Sequence, residues 1–361
     1  MRPFLKNMNL NDFISLKQFS LDRKIKSKLL VNLLAGLHQH HYLNSRAYKK
    51  ICDILFPNVK KIKSLSDLPF IPVSLFKTQV LKSIPDNKVY KILTSSGTTE
   101  SVPSRIYLDV EMAKLQTDVL FRIMAPIFGN ERLPMLIVDS KNTVKDRKSF
   151  SARGAGILGF SVFGKDHCFL LNDRLEIDTE ALDNFLAKFN GHKMLIFGFT
   201  FMIWKYLYLT KLKQKINLQN AILVHSGGWK KMEDLAVDNA VFKRELNKKY
   251  GLKKIYNFYG MVEQIGSIFI ENEDSYLQCS NFSDIIIRNP KDFSVQPIGK
   301  EGLVQVISVL PKSYPGHSIL TDDIGVCVGE DNSTNGWKGK YFKILRRVEN
   351  ADLRGCSNTF D

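Results

Sequence analysis

The sequence predicts an α/β fold, in which a mostly parallel sheet flanked by helices is followed by a small antiparallel region. First, short apolar runs alternate with helical patterns from Lys88 to about Phe258, as they do in βα units. Second, the strand-like runs after Gly260 are separated by Gly, Pro and Asp, which is typical of antiparallel sheet or a small barrel. Third, 361 residues with 44% hydrophobic content suffice for one large domain or two ordinary ones.

The residues before Lys88 have a helical pattern. Asn11 is expected to cap a helix through DFISLKQF, and the apolar spacing of IKSKLLVNLLAGLHQHHYLNS predicts a second, longer helix. In that helix His38 and His41 would share a face, an arrangement that can hold a metal ion. Because no group of carboxylates or cysteines accompanies them in the sequence, we expect these histidines to pack against the protein or to face solvent.

The central and C-terminal parts of the chain supply the predicted strands. The most apolar run, residues 194–204, is shorter than the roughly 20 apolar residues that span a bilayer. It is better explained as a buried strand that enters a helix. The predicted central strands are VYKILT, PMLIVDS, HCFLL, KMLIFGF, AILVHS and KKIYNFY, and the later ones are GSIFIE, SYLQCS, SDIIIRN, GLVQVISVL and GVCVGE.

Composition narrows the class of protein. The five cysteines are scattered without a CxxC pair, and the N-terminus lacks an apolar core of signal-peptide length, so we expect a cytoplasmic chain with reduced thiols. The net charge of +16 favours phosphates, an acidic protein or an anionic membrane face as binding partners. No nucleic-acid motif accompanies that charge, so neither a nucleic-acid partner nor a transmembrane segment is expected.

A loop rich in small and hydroxyl residues, SSGTTESVPSR from Ser95 to Arg105, follows the β-prone run at 89–93. Between a strand and a helix, such a loop lets backbone N–H groups approach phosphate oxygens, while the hydroxyls add further donors. The loop is neither a Walker A motif, since GxxxxGK[ST] is absent, nor a dinucleotide fingerprint, since GxGxxG is missing. Taken alone, a turn rich in Ser and Thr is more often an ordinary surface loop. The position of this loop after a strand and its density of hydroxyls give a phosphate-binding loop equal weight.

Two further segments combine a turn with residues that suit a nucleotide. In NFYGMVEQIGS, Tyr259 offers a flat face, Gly260 admits close approach of a ligand, and Glu263 can hold a cation. In SILTDDIGV, the carboxylates of Asp322 and Asp323 suit ribose hydroxyls or Mg²⁺. On its own, the first segment is better explained as a strand end with a turn, and the alternative for the second is an Asp-rich hairpin turn.

Together and in this order, the three segments resemble the adenylate-forming superfamily of acyl-CoA synthetases, firefly-type luciferases and peptide-synthetase adenylation domains. There the pattern is roughly TSGTTGxPK, then YGxTE, then TGD, then a basic hinge segment, and a glycine pair lies against adenine. The matching residues here are Ser96, Gly97, Thr98, Thr99, Pro103, Arg105, Gly227, Gly228, Tyr259, Gly260, Glu263, Thr321, Asp323 and the hinge-like Arg347.

The sequence departs from that superfamily at several positions. Glu100 replaces the usual glycine, and Ser104 is inserted before the basic residue. Val262 replaces the threonine that meets the α-phosphate, and Asp322 stands where glycine is usual. The C-terminal domain with its catalytic lysine is nearly absent. With the strings YGMVEQ and ADLRGCS, these departures resemble the LuxE family of acyl-protein synthetases, over about residues 30–357.

The resemblance to this family implies a domain organisation and a reaction. An adenylate-forming core would occupy 88–345, with an N-terminal helical region at 1–87 packed on it and a short tail at 346–361 replacing the usual C-terminal domain. ATP and Mg²⁺ would be the cofactors, and a fatty or other carboxylic acid would be activated as acyl-AMP and then transferred to Cys356. The apolar run 194–204 is a candidate lining for the acyl chain, although core packing explains it at least equally well.

The same resemblance assigns roles to residues. Cys356 would carry the acyl group, Glu263 would bind Mg²⁺ and Asp323 would bind the ribose. The predicted catalytic residues are Thr98, Thr99, Glu263, Arg347 and Cys356. The predicted nucleotide-binding residues are Ser95, Ser96, Gly97, Thr98, Thr99, Gly227, Gly228, Tyr259, Gly260 and Asp323.

Two alternatives stay open on sequence grounds. A ligase of the same fold would pass the acyl group to CoA or to an acyl carrier protein, and the basic surface would suit an acidic carrier. A non-catalytic scaffold would instead bind an acyltransferase or a reductase, and the changes at Glu100 and Val262 are its best support. The expected protein partners are therefore an acyltransferase, a reductase or an acyl carrier protein.

Overall fold

A computed structural model describes residues 8, 10–59, 61–95, 102–145 and 152–348. The chain divides into two compact units. Among the described residues, unit 1 contains those up to Pro126 and those from Gly260 onwards, and unit 2 contains Ile127–Tyr259. The boundaries predicted from the sequence, between 87 and 88 and between 345 and 346, stay a prediction.

The helices of the described residues fall in both units. Their bounds are Leu10–Ser15 (α1), Arg23–Asn44 (α2), Arg46–Leu55 (α3), Leu75–Thr78 (α4), Val110–Phe128 (α5), Ala152–Ser161 (α6), Thr179–Phe189 (α7), Thr200–Met202 (α8, continued by a π-helical turn at Ile203–Leu209) and Asn239–Tyr250 (α9).

The strands follow the same numbering along the chain. Their bounds are Ile71–Pro72 (β1), Lys91–Thr94 (β2), Arg105–Leu108 (β3), Leu133–Ser140 (β4), Gly164–Leu171 (β5), Leu195–Phe199 (β6), Ile222–Ser226 (β7), Lys254–Tyr259 (β8), Phe269–Glu271 (β9), Leu277–Gln278 (β10), Ser283–Arg288 (β11), Glu301–Ser308 (β12), Ser318–Glu330 (β13) and Lys340–Arg347 (β14).

Unit 1 is built on an antiparallel sheet with the strand order β11-β12-β13-β14-β10-β9, and β1 adds to β13 in parallel. The register places Val306 of β12 opposite Ile285 of β11 and opposite Ile319 of β13. All three side chains are fully or almost fully buried, so one face of these strands forms the core. The prediction of antiparallel sheet after Gly260 is confirmed.

A second, two-stranded antiparallel sheet of unit 1 corrects one sequence prediction. The strand predicted at VYKILT was assigned to the parallel sheet, but as β2 it pairs with β3, from Lys91 opposite Leu108 to Thr94 opposite Arg105. The chain between the two strands is short enough to return directly, and such connections favour antiparallel neighbours.

Helix α2 begins where the sequence places it, and α1 does not. The carboxylate of Asp22 accepts a hydrogen bond from the backbone N–H of Ile25 (3.0 Å) and so caps α2. Asn11 lies inside α1, which begins at Leu10, so its prediction as a cap is wrong. Packing of Phe13 against Phe282, with ring centroids 6.0 Å apart, fixes the position of this short helix.

Unit 2 contains the predicted parallel sheet, with the strand order β5-β4-β6-β7-β8. Every residue of β6 is buried, and the chain continues directly into α8 and the π-helical turn. Trp204 in that turn stacks on Tyr208, with ring centroids 4.1 Å apart, and packs against Phe242. The run 194–204 is therefore a buried strand that enters a helix, and its side chains belong to the hydrophobic core of this unit.

In the part of the chain that the structure describes, no helix has both the length and the apolar composition that crossing a bilayer requires.

Candidate functional site

Glu263 is a buried carboxylate in unit 1. It lies in the 3₁₀ turn Val262–Gln264 and is only 6% exposed. Burial raises its pKa above the usual range, and the negative charge of Asp322 acts in the same direction. The Ser104 hydroxyl and the positive charge of Arg347 oppose that rise. A cation bound here would further favour the ionised form of this carboxylate.

The turn that carries Glu263 is held by the segment 314–316. The phenol oxygen of Tyr314 accepts a hydrogen bond from the backbone N–H of Ile265 (3.0 Å). The side-chain amide of Gln264 donates to the carbonyl oxygens of Gly316 (3.1 Å) and Val306 (3.2 Å). A Cβ atom at Gly316 would lie 2.7 Å from the carbonyl oxygen of Glu263, so the close approach of these two backbones requires glycine.

The paired aspartates lie on β13, next to the end of β14. Asp323 is opposite Arg347 in the register of the two strands. A guanidinium nitrogen of Arg347 lies 3.9 Å from a carboxylate oxygen of Asp322, and both side chains are about one-third exposed. The Thr321 hydroxyl donates to the carbonyl oxygen of Val304 (2.7 Å) and accepts from the N–H of Asp323 (3.2 Å), which orders this part of β13.

The ends of the predicted phosphate loop meet between β2 and β3. The backbone N–H of Ser104 donates to the hydroxyl of Ser95 (2.9 Å), and the N–H of Ser95 donates to the carbonyl oxygen of Ser104 (3.2 Å). Ser104 is fully buried, and it is the residue whose hydroxyl favours the charged form of Glu263. Residues 96–101, which include the predicted Ser96, Gly97, Thr98 and Thr99, lie outside the described residues.

Unit 2 carries the predicted adenine-binding residues at the carboxyl ends of two neighbouring strands. Ser226, the last residue of β7, is opposite Phe258 of β8, and its hydroxyl donates to the Phe258 carbonyl oxygen (2.7 Å). Gly227 and Gly228 therefore follow β7 beside Tyr259, which ends β8. Gly227 has a φ of +84°, and no atom lies within 4 Å of a Cβ added at Gly228. The carboxyl edge of an open parallel sheet is a common ligand site, and the space at the glycine pair would admit a flat base.

The structure groups the predicted residues as follows. Ser95, Gly260, Glu263, Asp323 and Arg347 belong to unit 1. Gly227, Gly228 and Tyr259 belong to unit 2. Cys356 lies outside the described residues.

Two contributors to the unit 1 site, Ser104 and Tyr314, were missed from the sequence, and a third, Asp322, was considered for ribose or Mg²⁺ but given no final role. Ser104 was noticed only as an insertion. Tyr314 lies 49 residues from its partner Ile265, so no local pattern connects the two. An inserted serine next to a phosphate-loop motif is the one signal that a sequence reading could have used.

The residues present fit a magnesium ion that is bound mainly through nucleotide phosphates. Among the described residues, no three His, Cys, Asp or Glu side chains cluster as a metal cage. Mg²⁺ instead commonly uses one or two carboxylates together with substrate phosphates, and Glu263 with Asp322 nearby supplies that chemistry.

A cavity of about 1200 Å³ lies along β5 in unit 2 and is lined in part by Leu158, Phe169 and Phe185. It contains none of the predicted site residues.

Comparison with known proteins gives the family of this chain. The family model described as "Acyl-protein synthetase, LuxE" matches residues 6–361. The chain belongs to the LuxE family of acyl-protein synthetases. The resemblance noted in the sequence is thereby confirmed.

Curated relatives of this LuxE-family chain carry related names. A long-chain-fatty-acid–luciferin-component ligase of Vibrio harveyi is 24% identical over 351 residues, covering 94% of this chain and 89% of the relative. The enzyme of the same name from Aliivibrio fischeri is also 24% identical, covering 94% of this chain and 88% of the relative.

Solved structures show the fold of the LuxE-family chain. The open conformation of 2-hydroxyisobutyryl-CoA ligase, in complex with 2-HIB-AMP and CoA, matches with a TM-score of 0.70 at 15% identity, covering 92% of this chain and 77% of the ligase. The same ligase in its postadenylation state gives 0.68 at 13% identity, covering 91% and 69%. Family and fold together identify the chain as an ATP-dependent ligase of the adenylate-forming type.

Proposed function

We propose that this chain activates a fatty or other carboxylic acid with ATP as acyl-AMP and then transfers the acyl group to its own Cys356. The observation that carries the proposal is the group around Glu263 in unit 1. There, the hydroxyl of the buried Ser104 and the positive charge of Arg347 both favour the charged form of the buried Glu263 carboxylate. The pair Asp322 and Asp323 lies on the strand next to Arg347.

In the first step, a carboxylate oxygen of the acid attacks the α-phosphorus of ATP. A bond forms between that oxygen and phosphorus, the bond from the α-phosphorus to the bridging oxygen breaks, and pyrophosphate leaves with the electron pair. Loop residues Ser95–Thr99 donate hydrogen bonds to the phosphates, and Arg347 stabilises the charge that develops on them. Glu263 would hold Mg²⁺, which would supply charge neutralisation at the phosphate oxygens.

The remaining site residues hold the nucleotide in this proposal. The carboxylate of Asp323 accepts hydrogen bonds from the ribose hydroxyls. Gly227 and Gly228 leave room for the adenine ring, and Tyr259 offers it an aromatic face. Gly260 permits close approach of the backbone to the ligand.

In the second step, the thiolate of Cys356 attacks the carbonyl carbon of acyl-AMP. A thioester bond forms, the bond from that carbon to the phosphate oxygen breaks, and AMP leaves. The tail starts within the site, because the N–H of Val348 donates to the carbonyl oxygen of Asp322 (2.8 Å). Cys356 is the eighth residue after Val348, so its Cα can lie at most about 26–29 Å from that anchor. Arg354 and the neighbouring arginines favour the thiolate.

The cysteines that the structure describes do not suit the second step. Cys52, Cys168, Cys279 and Cys327 are all buried. Burial raises the pKa of each of these thiols, to about 11 for Cys52, Cys168 and Cys327. Buried thiols with raised pKa values are poor nucleophiles.

The acid and the location are proposed from the relatives and the composition. The names of the curated relatives specify long-chain fatty acids, and we propose a fatty acid here, with other carboxylic acids as the wider class. We propose a cytoplasmic location, and an acyltransferase, a reductase or an acyl carrier protein as the partner that receives the acyl group. Transfer to CoA or to a carrier, and a non-catalytic scaffold, are the alternatives.

Intact-protein mass spectrometry tests the proposal. After incubation with ATP, Mg²⁺ and a panel of fatty acids, the wild type should gain the mass of one acyl group, which hydroxylamine removes. The Cys356→Ser variant should exchange pyrophosphate into ATP at the wild-type rate but gain no such label, because a serine hydroxyl is hardly ionised near neutral pH. Pyrophosphate exchange without any acyl mass would favour transfer to CoA or a carrier. Absence of both would favour the scaffold.

A further inference from the structure

The histidines of α2 are directed at the segment 311–317 of unit 1. A ring nitrogen of His40 lies 3.1 Å from the carbonyl oxygen of Lys312, and Nε2 of His41 lies 3.0 Å from that of Pro311. The backbone N–H of Ser83 donates to the carbonyl oxygen of Ser313 (2.7 Å). We define the histidine clamp as a group of six residues. Five lie outside the segment, namely His38, His40, His41, Tyr48 and Ser83, and the sixth is His317, the last residue of the segment.

The hydrogen bonds of His41 fix its tautomer. A carbonyl oxygen can only accept, so Nε2 of His41 carries the proton that is donated to Pro311. Nδ1 is then the acceptor for the hydroxyl of Ser83, at 2.7 Å. Both ring nitrogens are thus used within the protein, and the ring is fully buried. The sequence analysis expected these histidines to pack against the protein or to face solvent, and His41 packs against the protein.

His317 ends the segment and closes the clamp. Its ring stacks on that of His41, with centroids 4.9 Å apart and an interplanar angle of 24°. The phenol oxygen of Tyr48 lies 3.2 Å from Nε2 of His317 and 2.8 Å from Nδ1 of His38. His41, Tyr48 and His317 are each 0% exposed, so water does not compete for these contacts.

Other residues of the same segment contact the turn that carries Glu263. Tyr314 accepts from the N–H of Ile265, and the carbonyl oxygen of Gly316 accepts from Gln264, on the two residues that follow Glu263. A Cβ atom at Gly316 would meet the carbonyl oxygen of Glu263 at 2.7 Å. The segment therefore contacts both the clamp and the turn of Glu263.

We infer that the histidine clamp is a positioning device for the metal-binding carboxylate, and that His41 acts on Glu263 through the segment 311–317. This inference rests on the proposed role of Glu263 in holding Mg²⁺. Groups that orient a metal ligand typically change metal affinity or activity by about 10- to 100-fold when removed. His41 is then a positioning residue, since it touches neither the nucleotide nor the acid.

Two measurements on His41→Leu test the inference. Hydrogen exchange followed by mass spectrometry should show faster exchange in the peptide 262–267, because the N–H of Ile265 loses the support of Tyr314. The Mg²⁺ concentration that half-saturates pyrophosphate exchange should rise about 10-fold, while the rate at saturating Mg²⁺ changes much less. His41→Gln, which keeps a donor near Nε2, should return both values towards the wild type.

The control is His167→Gln, an exposed histidine of unit 2 that also contacts a carbonyl oxygen, at 3.1 Å. It should leave both measurements unchanged. If His41→Leu does not fold, Ser83→Ala removes only the hydroxyl that Nδ1 accepts from and gives the same two readouts in a milder form.

The outcomes are separable from those of the proposed function. Wild-type exchange at 262–267 in a folded His41→Leu protein would overturn the clamp, whether or not the enzyme makes acyl-AMP. Faster exchange with an unchanged Mg²⁺ requirement would also overturn it, because Glu263 would then not depend on the segment. If the wild type does not exchange pyrophosphate with any acid, the proposed function fails. The hydrogen-exchange measurement on His41→Leu then tests the clamp by itself.

Discussion

Lowering the pH from 7.5 to 5.0 is expected to destabilise both units, because each buries a neutral histidine. Burial lowers the pKa of His41 in unit 1 and of His225 in unit 2 to about 3. The neighbours His38 and His40 add to the effect on His41, and Lys243 adds to the effect on His225. The unfolded chain binds a proton at each position near pH 6.5, whereas the folded chain does not. The stability that these two neutral histidines contribute is therefore fully present above pH 6.5 and is lost as the pH falls from there towards 3.

The magnitude follows from the two pKa values. At pH 5.0, protonation of an unfolded histidine with a pKa of 6.5 favours unfolding by RT ln(1 + 10^1.5), which is about 2 kcal/mol per group. His41 and His225 together should remove about 4 kcal/mol. Folded domains are stable by only about 5–15 kcal/mol, so the effect should be large enough to measure.

Urea unfolding followed by tryptophan fluorescence provides the assay. Trp337 reports on unit 1, and Trp204 reports on unit 2. Between pH 7.5 and 5.0, His41→Gln should lose about 2 kcal/mol less stability in unit 1 than the wild type does, and His225→Gln should do the same in unit 2. The exposed His192, changed to Gln, is the matched control.

The refuting result concerns the pH dependence and not the stability at neutral pH. Any stability that a variant loses at pH 7.5 through missing hydrogen bonds is subtracted. If His41→Gln and His225→Gln lose as much stability on acidification as the wild type, the two histidines are not buried in neutral form, and the reasoning fails.

Three predictions concern the proposed reaction. Thr98→Ala combined with Thr99→Ala should strongly lower pyrophosphate exchange in a folded protein, and unchanged exchange would remove the phosphate loop from the mechanism. Glu263→Gln should raise the Mg²⁺ concentration needed for exchange, because a neutral amide is a poorer ligand for a hard cation; an unaltered Mg²⁺ titration would argue against metal binding there. Asp323→Ala should raise the KM for ATP about 10- to 150-fold, equivalent to about 1.5–3 kcal/mol for a charge-assisted hydrogen bond. A larger effect of Asp322→Ala would transfer the ribose-binding role to Asp322.

Local patterns predicted the elements whose burial is continuous along the chain. The run 194–204 was predicted as a strand entering a helix because every residue of β6 faces the core. The strand at VYKILT was placed in the wrong sheet, because its partner β3 is only four residues long and follows directly after a polar loop. Asn11 was assigned as a cap from residue type alone, whereas contact of Phe13 with a distant phenylalanine fixes that helix.

The candidate site was predictable where a motif preserves chemistry in a short string, and not where it depends on contacts between distant segments. Glu263 and Asp323 were proposed as site residues because their neighbours in sequence resemble those of a known superfamily. The influence of Ser104 on Glu263, and the contact between Arg347 and Asp322, arise only after the chain folds. The histidines of α2 were expected to pack or to face solvent, and His41 packs. Its partner, the carbonyl oxygen of residue 311, lies 270 positions away and could not be predicted from a local pattern.

The division of unit 1 into two stretches of sequence has a consequence for synthesis of the chain on the ribosome. The described residues of unit 2 form one stretch of sequence from Ile127 to Tyr259, so its parallel sheet is available to fold while translation is still in progress. Helix α2 emerges early, yet the carbonyl oxygen that His41 binds is made 270 residues later. At about 5–20 residues per second, that helix waits roughly 14 to 54 seconds for its partner. During that interval its apolar face and its histidines are open to chaperones and proteases in the nascent chain.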